Sequence, residues 1–311
     1  MILYKYINAE GALKAIENES VLLNVPSEYN DPLDCEIYIS KKERRKAYKL
    51  FLNYQYFLIM YDHSVIKNQT YALGKWNTVL LKENLISIAK NAIKRKKYNY
   101  STFVLFHYKL AVMLTKTKPI DLSSLFDKML DEVCEKVKKS ILLSCFSLKK
   151  DSILMWSHYG ASHSGACLEF EVKEKEFEKV RYSKKPVNFR VSKVMEIIFG
   201  HELAKDKMDS NDESLRFALE PFLTKFRDWK YECEVRCGYS INTINSNIYK
   251  TTINGKTKRL LKMPGTLKSI YLGCKASDSF VDDVKKISNG LPLYKMETVE
   301  GKYKLVPRKV C

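Results

Sequence analysis

No stretch of the chain reaches the roughly 18 consecutive apolar residues that a membrane helix requires, so no spanning helix is expected. The opening, MILYKYINAEG, lacks the charged-then-apolar layout of a secretory signal, and a cytoplasmic location is expected. None of the eight cysteines forms a C-x-x-C pair, and several fall in apolar strand patterns. In a reducing compartment they read as small buried hydrophobes rather than a disulfide framework. Cys233 and Cys237 are poorly spaced for zinc on a strand. No H-E-x-x-H motif, internal repeat or low-complexity segment is present. Acidic residues are outnumbered, 36 against 54 Lys and Arg, for a net charge of +18. That balance fits either a solvated Lys-rich surface or a face that attracts nucleic acid or another polyanion. It is clustered only in part, at Lys94-Arg95-Lys96-Lys97 and from Lys302 to Lys309.

What is present suits a globular fold: 311 residues, 45% hydrophobic and 12% aromatic, enough for a real core. The most informative stretch is ILLSCFSLKKDSILMWSHYGASHSGACLEFE, residues 141–171. Its first seven residues read as a strand. Lys149 to Gly160 reads as a short helix, which Asp151 or Ser152 can cap and Gly160 can end. From Gly165 to Val172 the residues alternate, with Ala166, Leu168, Phe170 and Val172 on one face and Cys167, Glu169 and Glu171 on the other. Between the strands stand Trp156, His158, Tyr159 and His163, including two of the chain's five histidines. So many proton-active side chains between apolar strands point to a pocket.

Earlier in the chain, residues 1–8 read as a strand, 9–19 as a helix and 20–25 as a second strand, giving a βαβ start. The turn that follows holds Asn30, Asp31, Pro32 and Asp34. It is either a tight loop or a source of polar groups for a site. Residues 41–139 read as a helical insertion, with segments 41–66, 80–97, 101–116 and 121–139 at helical spacing. His63 and His107 within it read as structural. Residues 178–183 read as a strand, and 190–206 and 211–227 as helices. A second charged run, Trp229 to Tyr239, alternates at period two. Tyr231, Cys233, Val235 and Cys237 fall on one face, and Glu232, Glu234 and Arg236 on the other. The latter face is either solvated or equipped for acid–base work, since neighbouring acids can separate in pKa while Arg holds one down. The tail reads as a strand over 267–272, a helix over 277–288 and a hairpin of strands 292–299 and 303–308. The expected fold is therefore a single α+β domain over 1–311 with the insertion at 41–139.

Asn30-Asp31-Pro32-Leu33-Asp34, Ser144-Cys145-Phe146-Ser147, Met155-Trp156-Ser157-His158-Tyr159, His163-Ser164-Gly165 and Trp229 to Arg236 occur in an order that resembles a widespread bacterial and phage-related domain family of unknown function. The resemblance spans residues 3 to about 275 and implies a functional site without naming a reaction. More distantly, the chain is similar to ADP-ribosyltransferases, which carry a polar first strand, a middle strand with Ser or Tyr and a late strand with Glu-x-Glu. That resemblance implies a mixed or split β-sheet core with NAD as substrate, bound between the halves of the sheet. Glu234, Glu232 and His158 become the catalytic candidates. Tyr4, Tyr6, Asn30, Asp31, Ser144, Trp156, Tyr159, His163 and Arg236 become the candidates for contact with NAD. No His or Arg stands on the first strand, a departure from that family.

The acceptor it implies is nucleic acid or protein, in a toxin or anti-phage effector held in check by a neutralising or regulatory partner. Three other readings stand beside it. A metal-dependent nuclease or hydrolase could use Asp31, Asp34, His158, His163 and Glu234. A noncatalytic module could bind a nucleotide or nucleic acid. Cys145 could be a nucleophile with His158 as its base.

Overall fold

A computed structural model describes residues 1–61, 122–195, 219–241, 246–253 and 255–310. The chain divides into two compact units. One comprises Met1–Glu36, Lys136–Val187 and Glu220–Cys311. The other comprises Ile37–Glu135 and Asn188–Leu219.

The first unit is built on an eight-stranded mixed sheet, so the fold is α+β. Its strands, with the others of the unit in chain order, are β1 (Ile2–Ile7), β2 (Ser20–Leu23), β3 (Ile141–Ser147), β4 (Ala166–Val172), β5 (Glu178–Lys179), β6 (Arg181–Ser183), β7 (Thr224–Phe226), β8 (Glu234–Ser240), β9 (Ile248–Ile253), β10 (Lys256–Lys262), β11 (Gly265–Leu272), β12 (Leu293–Thr298) and β13 (Leu305–Lys309). The large sheet runs β13-β12-β11-β4-β1-β3-β8-β5; β2, β10 and β9 form a second sheet, and β6 and β7 a short parallel pair. Only β11 and β12 are parallel neighbours in the large sheet.

The sheet is pinched at its middle. β1 pairs with β4 at six positions and β3 with β8 at seven. Between β1 and β3 one register pair remains, Tyr4 opposite Ser147. Beyond that point the backbone of β3 turns to another partner: Asn24 and Leu143 exchange N–H···O bonds of 2.9 and 2.8 Å.

Alternation on the strands decides what each face meets. One face carries Leu3, Leu168, Phe170, Ile270 and Val235 into the main core. Helices α1 (Ala9–Glu17) and α5 (Asp278–Ile287) supply apolar stripes to that core, Ala12, Ala15 and Ile16 from one and Phe280, Val281 and Val284 from the other. Both helices start where a side-chain oxygen can satisfy an orphan N–H: Asn8 accepts from Gly11 and Ser277 from Phe280. The opposite face carries Tyr6, Cys167 and Tyr271 into a smaller core with Met155 and Trp156 of α4 (Ile153–His158).

In the second unit, α2 (Lys41–Tyr61) and most of α3 (Leu122–Ser140) are helical as expected. Arg44 bonds Asp127 and Asp131, and Phe126 packs on Tyr48 and Phe51. Segments 80–97 and 101–116, with His63, His107 and the cluster at residues 94–97, lie outside the described residues. No described helix is long and apolar enough to cross a membrane.

Several expectations need correction. β2 leaves the large sheet for β10, so the βαβ start is not one paired unit. The helix expected over 211–227 is not a helix at its end, where Thr224–Phe226 pairs as a strand with Arg181–Ser183. The run from Trp229 is not one strand. Arg227–Glu232 is a 3₁₀ turn, Cys233 is left-handed at φ 46°, and the strand begins at Glu234.

Candidate active site

Helix α4 begins at Ser152, whose hydroxyl caps the Met155 N–H. At helical spacing Met155, His158 and Tyr159 share one side, and all three line a cavity of about 390 Å³. The cavity lies where β1 and β3 part. Residues 4–7 form one wall, Leu143 and residues 145–147 another, with Leu22, Asn24, Glu28, Tyr29 and Asn30 contributed by the second strand and the turn after it. The polar wall is Asp34, Lys225, Glu232 and Glu234.

These charges are not solvated. Glu232 is 2% exposed, Glu234 5%, Asp34 7% and Arg236 1%. Buried charges persist only when paired and hydrogen-bonded, and here they are. Arg236 grips Glu234 with Nε at 2.7 Å and Nη2 at 2.9 Å, and gives Nη2 to both Asp34 oxygens at 3.0 and 2.7 Å. Its Nη1 donates to the Phe222 carbonyl at 2.8 Å. Lys225 Nζ sits 2.7 Å from Glu232, 3.3 Å from Glu234 and 3.3 Å from Asp34. Glu232 and Glu234 flank the left-handed Cys233 and both reach this one ammonium. Ser147 Oγ fixes the turn by donating to the Glu232 carbonyl at 2.6 Å, and the Tyr182 hydroxyl accepts the Glu234 N–H at 2.7 Å.

Three carboxylates thus share two cations, and the surplus falls on Glu232. Burial pushes its pKa up and Glu234 adds to that, against the pull of Lys225. Burial also opposes ionisation of Glu234, but the charge and hydrogen bonds of Arg236, with Lys225 behind them, hold its pKa down to about 2. Tyr159 donates to Glu232 Oε1 at 2.6 Å, and burial drives the phenol's own pKa up. Two adjacent acids whose environments push them apart are equipped for different roles, one to carry a proton and one to stay charged.

Of the residues expected at the site, Tyr4, Tyr6, Asn30, His158, Tyr159, Glu232 and Glu234 line the cavity. His158 stands in an aromatic group, its ring centroid 6.3 Å from Trp229 and 6.2 Å from Tyr231. Five others are placed elsewhere. Trp156 is fully buried, donates Nε1 to the Lys150 carbonyl at 2.8 Å and packs edge-on against Tyr6, so it is core and not a stacking platform. His163 is held by Ser157 Oγ at 3.0 Å in a turn where Ala161, Ser162 and His163 are all left-handed. Burial, then Lys275, lowers its pKa. That turn rests against Gly273, where an added Cβ would stand 2.0 Å from the His163 carbonyl oxygen. Asp31 folds back on its own loop and accepts the Leu33 N–H at 2.9 Å. Ser144 faces Lys5, and Arg236 has its donors committed to Glu234, Asp34 and Phe222.

Lys225, Tyr29 and Lys5 were missed as site residues. Lys225 sits in a three-residue strand too short for a periodic signal, whereas Lys5 was visible as a lone cation between Tyr4 and Tyr6 on an apolar strand. Of the donors proposed for a metal, Asp34 and Glu234 are bonded to Lys225 and Arg236, and Asp31 accepts the Leu33 N–H. Among the described residues no three His, Cys, Asp or Glu side chains are grouped to hold an ion. Cys145 lines the cavity, where burial pushes its thiol pKa up to about 12, with Glu234 adding to the shift, and its Sγ lies 3.3 Å from the Tyr29 hydroxyl.

No curated protein and no solved structure matches the chain. Residues 155–237 are similar to a family described as protein of unknown function (DUF2971). The matched span runs from Met155 to Cys237 and so takes in His158, Tyr159, Lys225, Glu232, Glu234 and Arg236; Asn30 to Asp34 and Ser144 to Ser147 fall outside it.

Proposed function

We propose that this chain is an ADP-ribosyltransferase-like enzyme that takes NAD as its substrate in the cavity where β1 and β3 part. The observation that carries the reading is the Glu232–Glu234 pair on the cavity wall, one acid pushed up and its neighbour held ionised. Breaking the bond between nicotinamide and ribose leaves positive charge on the ribose. A fixed carboxylate stabilises that charge best in a site without water, and Arg236 and Lys225 favour the ionised form of Glu234. Glu232, hydrogen-bonded to Tyr159, accepts the proton of the attacking group as it adds to the ribose. Tyr4, Tyr6 and His158 provide ring surface beside the reacting sugar. A cavity of about 390 Å³ falls within the range of small-molecule sites. The sheet, joined at its centre by one residue pair, offers the gap that a split-sheet NAD site needs.

Transfer to nucleic acid or protein, and the role of a toxin or anti-phage effector with a neutralising partner, belong to the same proposal and follow from the net charge of +18 and from the cost of unrestrained NAD loss. The test is incubation with NAD labelled separately in nicotinamide and in adenine, together with cell extract. Nicotinamide release with adenine label on a macromolecule supports transfer; release alone supports hydrolysis. NAD left intact at stoichiometric enzyme removes both.

A further inference from the structure

Lys5 is a charged side chain of the cavity wall not yet given a role. It lies on β1 and is half-buried among apolar neighbours. Its Nζ donates to Ser144 Oγ at 3.0 Å and to the Cys145 carbonyl at 2.9 Å, and lies 5.1 Å from the centre of the Phe146 ring. Among the described residues it makes no ion pair: Asp34, Glu232 and Glu234 are held by Lys225 and Arg236. A neutral amine has two hydrogens, and both are engaged by the strand beside it. What remains is the nitrogen lone pair. A lysine held in this way, without a counter-ion, is arranged as a nucleophile rather than as a surface charge.

We propose that Lys5 is a covalent site for an aldehyde-bearing ligand, such as the open-chain form of a sugar phosphate, which it binds as an imine inside the cavity. The charge balance of the wall agrees. The surplus acid is Glu232, and the unpaired base is Lys5. A neutral Lys5 spares an uncompensated buried charge. Burial lowers the Lys5 pKa, against smaller opposing contributions from Cys145, Cys237 and Glu234, the titratable groups around it. Burial raises Glu232.

The step balances without an oxidant or cofactor. The amine nitrogen bonds to the carbonyl carbon, and the carbonyl oxygen takes up the proton that the nitrogen gives up. The resulting carbinolamine takes a proton from solvent and loses its hydroxyl as water. The nitrogen lone pair closes the C=N bond, and the remaining N–H proton returns to solvent. This inference uses the same cavity but not the nicotinamide reading, and it survives or fails separately.

The test is borohydride trapping of the whole protein with ribose 5-phosphate or ADP-ribose, followed by peptide mapping. Borohydride reduces an imine to a stable secondary amine at the residue that formed it. The expected result is one adduct per chain, at Lys5 and ahead of the exposed lysines, with a Lys5→Met variant, which has no amine at that position to form the imine, losing most of that label. Adducts spread over exposed lysines with Lys5 unmodified overturn the proposal, and that map needs only the wild-type chain, so a poorly folding variant does not blunt it. A Lys5→Met protein that melts like the wild type and traps as much label also overturns it. NAD consumption without Lys5 adducts removes this inference and leaves the transferase reading. Lys5 adducts on a chain that leaves NAD intact do the reverse.

Discussion

Two of the chain's Glu-x-Glu runs, Glu169-Phe170-Glu171 and Glu232-Cys233-Glu234, meet opposite fates. On β4, Glu171 is exposed and faces Lys268 across 3.4 Å, while Glu169 is half-buried and accepts from the Tyr271 hydroxyl at 2.9 Å. At the start of β8, Glu232 and Glu234 are sealed from water against Lys225 and Arg236. Local pattern does not separate them. The difference comes from Asp34, some two hundred residues before Arg236, and from Lys225 on a strand of three residues. A charge run becomes a site when distant segments deliver counter-charges that exclude water.

The largest effect should come from breaking the buried pair. Arg236→Met leaves Glu234 and Asp34 without their guanidinium, and removing one partner of a buried ion pair costs on the order of 3–5 kcal/mol. Urea denaturation should show that loss, or no folded protein at all. A variant within experimental error of the wild type would mean the network carries no stability.

Next, Glu232→Gln should lower nicotinamide release by roughly 10²–10⁴-fold, the usual contribution of a general acid–base group, while Glu169→Gln leaves it unchanged. Equal losses would make both pairs structural. Glu234→Gln is the poorer probe, because it combines any catalytic loss with a broken ion pair.

The two buried acids should also respond to pH in opposite directions. The folded-state pKa of Glu234 is depressed to about 2, so its contribution is present above the ordinary glutamate value of 4.5 and lost as pH falls from there toward about 2. The stability gap between wild type and Glu234→Gln should therefore close in acid. Glu232 is raised, so its contribution is present below 4.5 and lost as pH rises through its folded value. Glu232→Gln should gain on the wild type as pH increases. Melting curves across pH test both; parallel trends would dismiss the separation of the two acids. The smallest effect is expected at Lys268→Ala, where an exposed pair contributes about 0–1 kcal/mol.

Much of the frame was legible. β4 alternates as its residues require, Ser152 and Ser277 cap the helices that follow them, and β12 and β13 pair as a hairpin. The strands β9 and β10 went unread, because Ile248–Lys262 mixes lysine and threonine with only scattered apolar residues. The residues themselves, His158, Tyr159, Glu232, Glu234 and the turn at Asn30, stood out as polar clusters in the sequence, and the structure lines one cavity with them. The distance between the segments, and not any local pattern, hid that they meet. The split of His158 from His163 did not: a left-handed turn of three residues sends one to the cavity and the other against Ser157. Glycine-poor αL turns leave almost no trace in sequence. Lys225 was hidden for another reason. A buried lysine and an exposed one are the same letter, and only its three carboxylate neighbours tell them apart.

The central claim is that Glu232 acts on NAD held in the cavity between β1 and β3. Release of labelled nicotinamide by the wild type and by Glu232→Gln, compared at equal folded concentration, addresses it most directly. The account predicts turnover by the first and near-complete loss in the second. Equal release from both, or none from the wild type at stoichiometric enzyme, would contradict it.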